Sequence, residues 1–139
     1  MTLRNTERLR MKDIIFQSQA PRTPEYYKIY SDVVNNMHDY STIEEYNTKY
    51  SDEARQKANY LFIHFNTIGI LFKDGIATAD EIFQHYPPYT FIRLWEAMEI
   101  NIKYLRTITN FPEFLKPFEL MYQEARKKTP NYVVSWKRQ

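Results

Sequence analysis

Fifteen consecutive residues without a formal charge, Ala58 to Phe72, set the first limit on what this chain can fold into. Lys57 and Lys73 bound the run, and Asn59, His64, Asn66 and Thr67 interrupt it. A membrane-spanning helix needs roughly 20 mostly apolar residues, so no membrane span is expected. At helical spacing Leu61, Phe65, Ile68 and Phe72 form one stripe, with Ala58, Phe62 and Gly69 beside it, while Ile63 and Ile70 fall across the helix among the asparagines. The pattern predicts a central helix buried on more than one side. Ser51 or Asp52 is suited to cap its start, and in Asp74-Gly75 the glycine supplies the left-handed residue that ends it. Thr78 precedes Glu81 by three residues, the capping-box spacing, and opens a short helix through Phe83 that Pro87-Pro88 closes.

The rest of the chain repeats this helical grammar. Only two glycines, Gly69 and Gly75, occur in 139 residues where an average composition gives about ten, which disfavours folds built on tight glycine turns. Thr23-Pro24 is a helix start, followed by Tyr26, Ile29, Val33, Met37 and Tyr40 on one face. Ser41 with Glu44 has capping-box spacing and opens a short piece toward Tyr50. From Thr90 to Ile108, Phe91, Trp95, Met98, Ile102 and Leu105 recur at steps of four and three. After a break at Asn110-Phe111-Pro112, Phe114, Phe118, Met121, Tyr122 and Ala125 line a last helix, regular from near Pro117 and ended by Pro130. The fold class expected is all-α, a compact bundle of about four to six helices with short capped connections. It is read as a single domain over residues 1–139, with 1–20 and 130–139 as loosely attached arms, the C-terminal one strand-like or loose. Apolar residues make up 43% of the chain and aromatics 17%, enough to offset the entropy of folding.

The stretch from about Ala54 to Arg126 resembles the helical family called domain of unknown function 4760. The resemblance rests on the apolar helix ending in Lys73-Asp74-Gly75-Ile76, on Asp80 and Phe83, on Trp95-Glu96, Ile102 and Arg106, and on Phe118-Glu119. It implies a helical domain and brings no activity to transfer. Some members of that family look membrane-tethered through N-terminal hydrophobic helices, and this chain lacks such a segment. Among the motif residues, Arg106 falls only about 20° from Trp95 on the helix wheel, so a charge sits on the apolar stripe and requires a partner. Glu119, beside Phe118 on the next helix, is the expected one, a structural bridge being favoured over a ligand-binding arginine.

Few residues gather into chemistry. With no cysteine there is no disulfide, thiolate zinc site or cysteine nucleophile, which fits a cytoplasmic protein, and the N-terminal stretch has no apolar run of signal-peptide length. His38, His64 and His85 are 26 and 21 residues apart, without ligand spacing, so no metal or cofactor is expected, and His64 reads as a hydrogen-bonded core or boundary residue. Glu44-Glu45, Asp52-Glu53 and Asp80-Glu81 lie in or near first helical turns, where the helix dipole explains them. No phosphate loop, GxGxxG, GxSxG or Glu-x-x-His occurs. No enzyme is expected; a scattered site around His64, Glu99 and Arg106 is the least favoured of three readings.

The remaining signals concern partners. Residues 1–28 carry six Lys/Arg against three Asp/Glu and residues 121–139 five against one, whereas the middle is net acidic. If the termini meet, Arg4, Arg8, Arg10, Lys12, Arg126, Lys127, Lys128, Lys137 and Arg138 would form one basic patch for nucleic acid or an acidic protein. Most of the 12 Tyr and 9 Phe fall on the core stripes. Tyr46, Tyr50, Tyr86, Tyr89 and Tyr132 are left as expected exposed interface anchors. The leading reading is a non-enzymatic helical protein acting through protein-protein contact, as a regulatory or assembly module, with an unidentified partner or a second copy. The alternative is a nucleic-acid-associated protein using the basic ends.

Overall fold

Side-chain caps set most helix starts in the computed structural model, which describes residues 6, 7, 9, 10 and 23–138. Thr23 is extended and its hydroxyl accepts the Tyr26 N–H, opening α1 (Pro24–Asn36) with proline where no intrahelical donor is needed. The cap of α2 (Ile43–Lys49) lies one residue later than expected. Thr42, not Ser41, accepts from the Glu45 N–H at 3.1 Å, and Glu45, not Glu44, reaches back to the Ser41 N–H at 2.8 Å. Ser51 caps α3 (Asp52–Lys73), and Gly75 beyond its end takes φ +74°. The Thr78–Glu81 capping box is present at α4 (Ala79–His85).

Pro87-Pro88 closes α4 and also opens α5 (Pro88–Ile108), two residues before the expected start. Asn110 follows at φ 52°. Leu115, also left-handed at φ 58°, then turns the chain into α6 (Lys116–Lys128). The six helices between Pro24 and Lys128 form a compact all-α fold, and no strand occurs among the described residues.

The 22-residue α3 is the central element, packing most extensively on α6, which in turn packs on α5; α1 lies across α3 and α5. Phe65, fully buried on α3, gathers the rings of Tyr30, Tyr86, Phe91 and Phe118 within 6.2 Å of its centroid. Backbones approach closely at Gly69, where an added Cβ would lie 2.3 Å from the Pro117 carbonyl oxygen.

Two expectations are corrected. Ile63 and Ile70 are not part of a second buried face: they are 70% and 39% exposed and flank a surface groove with Phe111. Residues 130–138 do not form a strand or a loose arm. They end in a 3-10 turn (Ser135–Lys137), with Val134 fully buried and Trp136 stacked on His38 at 4.3 Å. These apolar anchors outweigh the tail's high polarity. The N-terminal arm lies largely outside the described residues. No helix among the described residues is long and apolar enough to cross a membrane.

Candidate functional site

The basic residues singled out in the sequence are dispersed in their roles. Arg4, Arg8 and Lys12 lie outside the described residues, and Arg10 is exposed. Arg126 and Lys137 converge on one largely buried carboxylate, Glu96, which also accepts from the Tyr122 hydroxyl at 3.1 Å. Arg126 further donates to the Tyr132 carbonyl, tying α5, α6 and the tail together. Burial alone would raise the Glu96 pKa; hydrogen bonds and charge from Lys137 and Arg126 outweigh it and hold the carboxyl below its ordinary value. Lys128 pairs with Asp80 at 2.9 Å, Lys127 with Glu124 at 3.0 Å, and Arg138 donates to the Val133 carbonyl. The C-terminal cations are thus engaged within the fold.

Trp95, Arg106 and Glu119 meet at the α5–α6 contact. The Arg106 guanidinium donates to Glu119 at 3.0 Å and to the Phe114 carbonyl at 2.7 Å, and lies 5.7 Å from the Trp95 ring centroid. Both charged side chains are less than one-fifth exposed, and Glu119, which also takes Lys116 at 3.3 Å, balances the Arg106 charge. The scattered trio is not assembled. His64 hydrogen-bonds the Tyr86 hydroxyl at 3.1 Å, Glu99 accepts from the Trp95 indole at 3.1 Å, and Arg106 faces Glu119. Burial lowers the His64 pKa to about 4, which keeps the ring neutral near pH 7. Among the described residues no three His, Cys, Asp or Glu gather as a metal site.

Of the five tyrosines expected at the surface, Tyr46, Tyr50 and Tyr86 are core residues, 2%, 9% and 1% exposed. Tyr46 and Tyr50 meet Tyr40 in tilted and edge-on ring contacts at α2, and Tyr86 packs on Phe65. Tyr132 is half-buried, 6.4 Å from Tyr89. Tyr89 is exposed, and it faces a groove that the sequence reading did not find.

That groove, about 450 Å³, runs between α1 and the α4–α5 corner. Tyr27, Tyr30, Ser31 and Asn35 line it from α1, and Tyr86, Tyr89 and Arg93 line it from the other side. Its rim is aromatic and solvent-facing, Tyr27 being 54% and Tyr89 46% exposed. Tyr30 is fixed inside by donating to the Thr90 carbonyl at 2.8 Å, and burial pushes its phenol far above the ordinary range. Arg93 lies with its guanidinium carbon 5.8 Å from the Tyr30 ring centroid and donates to Asn35 Oδ1 at 2.8 Å. The Asn35 amide is oriented in turn by donating to Ser31 at 2.9 Å. An apolar concavity with a few placed polar groups is the ordinary form of a binding site. This one offers stacking surface, hydroxyls and one positioned cation. Its sequence trace is faint: Tyr27, Ser31 and Asn35 recur every four residues, as do Tyr89 and Arg93, each row flanking a stronger apolar stripe.

The architecture is that of an all-helical domain with a surface groove. The chain matches domain of unknown function 4760 over residues 1–125 and belongs to that family. The match extends N-terminally beyond the 54–126 stretch that carries the sequence resemblance. No curated protein and no solved structure gives a match.

Proposed function

We propose that this protein is a non-enzymatic helical interaction module of the cytoplasm, with a regulatory or assembly role, that receives a segment of a partner protein in the groove between α1 and the α4–α5 corner. The observation that carries this reading is the pair of exposed tyrosines, Tyr27 and Tyr89, at the rim of a concavity. Tyrosine combines large apolar area, few rotatable bonds and a hydrogen-bonding tip, the properties of interface anchors. The cysteine-free composition supports the cytoplasmic assignment. Nucleic-acid binding through the basic ends draws less support, because Arg126, Lys128 and Lys137 already face Glu96 and Asp80.

The test is affinity capture from host lysate, with and without nuclease, using the wild-type chain and a Tyr27→Ala/Tyr89→Ala variant of equal helicity. The reading predicts a nuclease-resistant protein partner whose capture falls at least about tenfold in the variant. Capture unchanged by the variant, or lost on nuclease treatment, would contradict it.

A further inference from the structure

The groove's charge states what kind of segment fits it. Arg93 has no carboxylate within ion-pair distance among the described residues, whereas Arg55, Arg106 and Arg126 each have one. Its guanidinium meets Asn35 Oδ1 and the Tyr30 ring, so one N–H is engaged by a neutral acceptor. A guanidinium carries five N–H donors in a fork matched to a carboxylate, and the Ser31–Asn35 hydrogen bond orients the acceptor that holds it. No Asp or Glu lines the groove. The site is therefore short of one negative charge and rich in aromatic surface.

Its length sets the rest. The groove follows α1 from Tyr26 to Asn35, nine helical steps or about 13 Å. An extended chain covers that distance with about four residues. Because the rim tyrosines remain about half exposed, the groove is a shallow trough, better suited to an extended segment than to a small molecule that must be mostly enclosed.

We propose that the groove binds an extended peptide segment of a partner protein that sets an acidic side chain on Arg93 and an aromatic or proline side chain against Tyr27 and Tyr89. This rests on the interaction-module reading and gives it a ligand chemistry. The carboxylate gains a charge-assisted, two-pronged hydrogen bond, and the adjacent ring covers apolar surface that is otherwise in water.

The experiment pans a phage-displayed library of random short peptides on the full chain, then measures a fluorescein-labelled peptide from the strongest clone by anisotropy. The expected selection is for Asp or Glu close to Tyr, Phe, Trp or Pro. Replacing the acid by its amide, or Arg93→Gln in a protein of unchanged circular dichroism, should each weaken binding about tenfold, and the two together little more. Arg93→Lys should recover only part of the loss, since an ammonium lacks the fork. Peptides that bind through Tyr27 and Tyr89 but show no acid preference and no response to Arg93→Gln overturn this inference and leave the interaction module standing. Peptides insensitive to Tyr27→Ala and Tyr89→Ala as well, or none selected, overturn both. Displacement of the peptide by a short labelled single-stranded DNA that itself needs Arg93 would assign the groove to nucleic acid and overturn the proposal.

Discussion

At position 46 a tyrosine hydroxyl lies in the core without a hydrogen-bond partner among the described residues, while six positions earlier the Tyr40 hydroxyl donates to the Ala97 carbonyl at 2.7 Å. The same side-chain edit should therefore have opposite signs. Tyr46→Phe removes an unsatisfied buried group and is expected to stabilise by up to about 1 kcal/mol, whereas Tyr40→Phe removes a hydrogen bond that is made and costs about 1 kcal/mol. Urea denaturation of the two variants checks this; a loss of stability in Tyr46→Phe would contradict the assigned environment. His64 makes a second residue-level prediction. Its ordinary pKa is 6.5 and its folded value about 4, so between those limits the unfolded chain binds the extra proton. Stability should fall as pH drops from 6.5 toward 4, and His64→Gln should flatten that window. The hydrogen-bonded His64 and the buried Tyr40 were legible in sequence, but the other tyrosines were not: Tyr46, Tyr50 and Tyr89 lie off the clear apolar stripes, and their burial is decided by which helix lies above them. Tyr46 and Tyr50 are covered in the cluster with Tyr40, and Tyr89 is left at the groove.

At the scale of elements, boundaries were the most readable feature because caps are local. Thr23, Ser51, Thr78 and Gly75 act within a few residues of themselves, and the structure places each at an expected helix end. The left-handed Leu115 had no such signal, since the close α3–α6 approach at Gly69 constrains that turn from outside it. Gly69→Ala should be costly: the new methyl meets backbone rather than a flexible side chain, and a loss of about 2 kcal/mol or more is expected in chemical denaturation. The Arg106–Glu119 contact predicts strong coupling. Arg106→Ala should destabilise by about 2 kcal/mol, since it leaves the buried Glu119 carboxylate with only Lys116 at 3.3 Å, while Arg106→Met with Glu119→Leu should lie closer to wild type. Equal and additive losses in the cycle would contradict a paired role. Sequence reasoning reached this pair because a charge on an apolar stripe demands an opposite charge, and the next helix offered one.

For the molecule as a whole, the buried Glu96 and the exposed rim tyrosines do different work, one joining elements and the other facing solvent. Glu96 joins α5 to α6 and to the tail, so its contribution is present above the ordinary carboxyl value of 4.5 and is lost as pH falls through the lower folded value. Glu96→Gln should therefore lower stability markedly at pH 7, and progressively less as pH falls below 4.5. The charge segregation in the sequence suggested a terminal patch. The fold instead pairs its C-terminal cations at the surface with its own acids, Arg126 and Lys137 with Glu96 and Lys128 with Asp80, which no one-dimensional charge count reveals. The groove was hidden for a related reason: each of its rows flanks a stronger apolar stripe, and only the docking of α1 beside the α4–α5 corner makes them face one another. The most direct test places a photo-crosslinking amino acid at position 89 and, as a control, at exposed position 60 on α3, in cells of the native host. The account predicts a discrete protein adduct from position 89 that Tyr27→Ala and Arg93→Gln each strongly reduce, and none from position 60. No adduct from position 89, or the same adduct from both positions, would contradict it.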